Sequence, residues 1–112
     1  MREIIIDDKT IRVRATALAL LYYRQAFKSD LIGDMVKMRV IQDSPEQFDS
    51  LLCLQFIWAM AKADSYGRPF PDFEGWIASL GGIDLSNPMF IVAALEEAAD
   101  GFLGGGNKVK TE

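Results

Sequence analysis

Residues 51–61 read LLCLQFIWAMA, apolar at every position but Gln55. On a helix these side chains cover nearly every face, as suits an element packed by others on all sides. The run is far short of the roughly 20 residues that a membrane span needs. Just upstream, DSPEQF at 43–48 supplies a helix start. Ser44 serves as N-cap, Pro45 takes the first helical position, and Gln47 completes a capping box. The reading is a central buried helix from Pro45 to Ala63. Cys53 lies inside it as a small buried hydrophobe.

The other elements follow outward from this helix. Residues 3–14 predict a β-hairpin with a two-residue loop at Asp8-Lys9. That register sets Ile6 opposite Ile11 and Ile4 opposite Val13 on one side. Ile5 then meets Arg12, and Glu3 meets Arg14, on the other. A lone hairpin is marginal, so its Ile/Val face must rest on helices. Thr16 is placed to cap a helix ALALLYYRQAF, in which Leu18, Leu21, Tyr22 and Gln25 share a stripe. Leu20, Tyr23 and Phe27 continue its apolar surface. A second helix, LIGDMVKMRVI, starts from Ser29 or Asp30 and turns Leu31, Met35, Met38 and Ile41 inward. Gly33 within it costs about 1 kcal/mol against alanine and suggests a close neighbour. After the central helix, DSYGRPFPDF at 64–73 is a loop. Asp72 caps a short helix FEGWIASL that ends at Gly81-Gly82. A final helix over 88–103, started by Ser86 or Asn87 with Pro88, buries Ile91, Leu95, Ala98 and Phe102. It exposes Glu96, Glu97 and Asp100.

The expected fold is therefore mainly α: an N-terminal hairpin packed on a compact bundle of about five helices. One domain covers 1–103, and a flexible glycine-rich tail covers 104–112. The chain has 112 residues, half of them hydrophobic, and a net charge of −4. Nucleic-acid binders carry clustered Lys and Arg, whereas the twelve basic residues here are scattered. There is no histidine, which removes the commonest general base and metal ligand. One cysteine excludes an internal disulfide, and the N-terminus lacks a signal-peptide pattern. A soluble intracellular protein is expected, with no cofactor, no metal, no nucleic acid, no membrane and no catalytic residues. The apolar fraction leaves room for self-association.

Few clusters invite chemistry. Asp7-Asp8 reads as a solvated turn before it reads as a metal pair. Glu96, Glu97 and Asp100 read as a solvated face, since no His or Cys stands near to complete a cation site. Tyr22 and Tyr23 read as core aromatics with one phenol near the surface. Gly104, Gly105 and Gly106 follow a helix, whereas phosphate cradles precede one. The segment YGRPFPDFEGW, 66–76, is richer. It brings Tyr66, Phe70, Phe73 and Trp76 beside two prolines, and suits either a cap over the core or a partner surface.

In order, the elements REIIIDDKTIRVRAT, LYYRQAFKSDLIGDM, LLCLQFIWAMAKAD, FPDFEGWIASL and VAALEEAADGFL resemble the tail assembly chaperones of long-tailed bacteriophages and prophages. The likeness spans most of the chain and is a pattern rather than a fingerprint. It implies a non-enzymatic protein of the bacterial host cytoplasm. Such a protein binds and solubilises the long helical tape measure protein, and is absent from the finished virion. It also implies a longer form, made by a one-base backward ribosomal slip, that recruits tail tube subunits. Gly105, Gly106 and Asn107 are compatible with the message G GGA AAC, on which such a slip re-pairs. Gly104, Gly105, Gly106 and Asn107 would then form a linker in the long product. Phe70, Phe73 and Trp76 are the candidate partner contacts. Glu96, Glu97 and Asp100 are candidates to steer basic partner segments. The competing reading is a small phage-encoded regulatory or adaptor protein that inhibits a host protein, which the acidic helical profile suits equally.

Overall fold

A computed structural model describes residues 2–6, 9–41, 50–81 and 89–102, with side chains described at all of these but 38–41 and 50. The chain runs β1 (Arg2–Ile6), β2 (Lys9–Val13), α1 (Ala17–Phe27), α2 (Leu31–Ile41), α3 (Ser50–Asp64), α4 (Phe73–Leu80) and α5 (Met89–Phe102). The hairpin and the helices thus come in the expected order. Asp7-Asp8, the capping box at 43–48, the start signal at Ser86 to Pro88 and the tail at 104–112 lie outside the described residues.

α3 is the centre. Six consecutive residues, Phe56 to Ala61, are each 3% exposed or less, so no face of this stretch meets water. β2 and α1 pack against α3, while α5 lies on β1. Cys53 is buried among these side chains as expected.

The hairpin keeps the expected face but not the expected register. Its pairs are Ile6 with Lys9, Ile5 with Thr10, Ile4 with Ile11, Glu3 with Arg12 and Arg2 with Val13. This is a slip of two residues along the ladder. Side chains alternate with period two, so such a slip leaves Ile4, Ile6, Ile11 and Val13 on the same side. Ile4, Ile6 and Val13 are each 2% exposed or less. Alternation chose the face, and the ladder closing at Ile6 and Lys9 chose the register.

Helix caps carry most of the remaining boundaries. Asp30 Oδ2 accepts from Gly33 N at 2.8 Å and starts α2. Among the described residues, a Cβ on Gly33 would meet only the Asp30 side chain, the cap of its own helix, and no neighbouring element. Asp72 Oδ1 accepts from Gly75 N at 2.8 Å and starts α4, which ends at Gly81 with φ +70°. Asp72→Ala is expected to lower stability by about 1 kcal/mol in a urea titration, because an orphan N–H loses its acceptor. Thr16 stands at the start of α1 but makes no side-chain cap bond; its buried Oγ1 has no partner among the described residues. α1 also turns further than its apolar stripe implied. Tyr23 and Ala19 are fully buried, whereas Leu21 is 50% exposed. In α2, Leu31 and Met35 point inward as expected, and Met38 and Ile41 fall outside the described side chains.

A buried polar junction ties α1, α2 and α3 together. Tyr23 OH donates to Asp34 Oδ2 at 2.7 Å, and Gln55 lies 3.1 Å from the same hydroxyl. A phenol has one proton, and the charged acceptor at the shorter distance claims it. Asp34 is 8% exposed and has Lys37 at 3.8 Å on its other side. Tyr22 lies nearer the surface, with Lys62 Nζ 4.6 Å above its ring.

Candidate partner-binding site

The loop after α3 folds its aromatic residues inward. Trp58 Nε1 donates to Pro71 O at 3.1 Å and draws the loop onto α3. Phe73 then packs edge-on against Phe27 at 5.0 Å and against Trp58 at 6.1 Å, with Trp76 6.3 Å away. Trp76 is 5% exposed; Phe70 and Phe73 are half-buried against the core. Of the two readings of this segment, cap over the core describes Phe73 and Trp76. Tyr66 is the exception in the loop, 70% exposed beside Gly67 at φ +89°.

The acidic trio of α5 is also engaged internally. Arg2 Nη1 lies 3.2 Å from Glu96 Oε1, its Nη2 2.8 Å from Asp100 Oδ2, and its Nε 3.5 Å from Glu97 Oε1. Glu96 and Asp100 remain exposed, but Glu97 is 6% exposed, which corrects its expected place on a solvated face. Ala15 N donates to Glu97 Oε2 at 3.0 Å. The cause is local. The N–H between β2 and α1 needs an acceptor once buried, and Glu97 supplies one from the far end of the chain. A guanidinium thus fills the place that a cation or a basic partner segment would take.

The structure brings together residues that the sequence left apart. A cleft of about 300 Å³ opens between β2, the end of α3, the following loop and α4. Thr10 and Arg12 from β2, Asp64 from the end of α3, Arg68 and Phe70 from the following loop and Trp76 from α4 line it. Asp64 is the electrostatic pivot. Its side chain is 4% exposed and receives Arg12 Nε and Arg14 Nε, each at 3.2 Å. Arg12, on β2, and Arg14, just past its end, reach the same carboxylate because they are two apart in extended chain. Both guanidinium groups are about half exposed. Arg68 Nη2 reaches the Asp64 carbonyl, at 3.4 Å. Glu3, opposite Arg12 on the ladder, forms no ion pair among the described residues. Two guanidinium groups therefore pair with one buried carboxylate, and a third reaches the same residue's backbone. Arg12 and Arg14, alternating with Val13 at the end of the hairpin, were the one hint of this site in the sequence.

Among the described residues, no group of three or more His, Cys, Asp or Glu could hold a metal ion. No described helix is long and apolar enough to cross a membrane. The glycines and asparagine at 104–107 lie outside the described residues. What the fold and the cleft define is a hairpin-plus-helical domain with a recess lined by arginine and aromatic side chains. No family model, curated protein or solved structure matches the chain.

Proposed function

We propose that this protein is a phage tail assembly chaperone that binds and solubilises the tape measure protein while the tail is built. The observation that carries the reading is the order of elements. A hairpin at the start, two helices, a buried central helix, a short aromatic helix and a last helix ending near residue 102 form the pattern on which the resemblance rests. Partners are the tape measure protein and, through a longer form, the tail tube protein. The place of action is the host cytoplasm, before the virion is complete. The surface suits a binding role: Tyr66 and the arginines of the cleft are residue types enriched where proteins dock.

Two measurements test this. Co-expression with the tape measure protein encoded beside the gene is expected to move that protein from the pellet to the soluble fraction and to recover the two together. Equal insolubility with and without the chaperone would remove the reading in favour of an adaptor. Expression of the natural gene with its downstream DNA and an N-terminal tag is expected to give a minor longer product. That product should vanish when Gly106 and Asn107 are recoded synonymously; a single band at 12.5 kDa plus the tag would show that no slip occurs.

A further inference from the structure

We infer that the cleft beside Asp64 is a docking site for an acidic, apolar-flanked segment of a partner protein. The inference goes beyond the chaperone reading and holds for any protein partner. It starts from charge. The chain as a whole carries −4, so a generic surface of this protein repels acidic segments. At the cleft the sign is reversed. Arg12 and Arg68 line it beside one lining carboxylate, that of Asp64, and Arg14 pairs with the same carboxylate from outside the lining. The end of α3 adds about half a negative charge, which leaves the recess still positive.

The arginines are also held in a way that leaves them able to bind. Arg12 and Arg14 each give Nε to Asp64 and remain about half exposed, so part of each planar fork faces solvent. Asp64 fixes their position, so little side-chain freedom is lost when a carboxylate arrives. Beside them, Phe70 and Trp76 give the recess an apolar part of its lining, and Tyr66 stands exposed on the same loop. A free small anion would use the charges and leave the apolar part unused. A peptide with an acidic side chain next to a leucine or phenylalanine uses both.

The site differs from the surfaces expected from the sequence in polarity as well as place. Glu96, Glu97 and Asp100 suggested a basic partner segment, but Arg2 already occupies them. The arginines that line the cleft beside Phe70 and Trp76 are positive, and an acidic segment matches them.

The test uses the full chain and two capped peptides built from leucine with either glutamate or lysine, titrated by calorimetry. The glutamate peptide is expected to bind, more weakly as salt rises, and the lysine peptide is not. Arg68→Gln is expected to weaken binding about fivefold, and Arg12→Gln with Arg68→Gln about fiftyfold. Arg68 is exposed and makes one long side-chain contact, so the single variant keeps the fold even if loss of Arg12 disturbs Asp64. Arg24→Gln, on α1, is the control and should bind as the parent does. Equal binding of both peptides, or undiminished binding by Arg68→Gln and Arg68→Glu, would overturn the site. So would competition by acetate at the same concentration as the peptide, which would make it a site for free carboxylate. Tighter binding of a single-stranded oligonucleotide than of the glutamate peptide would overturn it too. None of these outcomes depends on the tape measure co-expression, so the two ideas fail separately.

Discussion

Gly101→Ala is expected to destabilise the protein by about 3 kcal/mol, seen as a lower urea midpoint with α5 the first helix to lose hydrogen-exchange protection. The sign is what makes the experiment informative. Helix propensity alone favours alanine over glycine by about 1 kcal/mol, so a residue with open space around it would gain from the change. Gly101 has no such space. A Cβ there would fall against the backbone oxygen and the Cβ of Ala15, closer than real side-chain carbons come. Backbone cannot swing aside as a long side chain can, so α5 must back away. Doing so stretches the bond from Ala15 N to Glu97 and the pairs that Arg2 makes with three carboxylates. If Gly101→Ala instead raised stability, the close packing of α5 on the residues between β2 and α1 would be wrong.

The second large effect belongs to the buried junction. Tyr23→Phe should cost about 2 kcal/mol although it changes no apolar contact. The ring stays packed between Phe27 at 4.9 Å and Phe56 at 5.7 Å. What is lost is the proton that Asp34 accepts, leaving a buried carboxylate with Lys37 at 3.8 Å. An unmade bond to a buried charge costs more than the made bond contributes. Accordingly, Tyr23→Phe with Asp34→Leu should be more stable than Tyr23→Phe alone. A double variant that simply adds the two single losses would show that the phenol and the carboxylate act independently.

The parts of this fold that were legible are those written in local chemistry. Asp72 and Asp30 announce their helices because a short carboxylate reaches its own backbone three residues on. The all-apolar run of α3 could only be an interior element. The hairpin shows where local reading stops. Alternation is blind to a slip of two, so Glu3 could be placed on its face but not opposite its partner. Glu97 shows a deeper limit. On its own helix it belongs to an acidic face, and its burial is decided by Ala15, 82 residues away. The aromatic segment meets the same limit. Phe73 and Trp76 read as a cap over the core or as contact surface, and their inward packing depends on Phe27 and Trp58 on other helices. The cleft unites Arg12, Asp64 and Arg68, whose common location is a property of the folded chain alone.

The ion pair between Arg2 and Asp100 joins positions 98 apart. Bringing such distant residues together costs roughly 4 kcal/mol of chain entropy before any contact offsets it. β1 receives its covering helix only when α5 arrives, after the intervening helices have been made. That non-local closure makes folding slower than in a bundle of sequential helices. A chain halted before α5 has its strands and its central helix but not the element that closes over them. During that interval Ile4, Ile6 and the Ala15 backbone stay accessible, and the nascent protein is itself a chain in need of shelter.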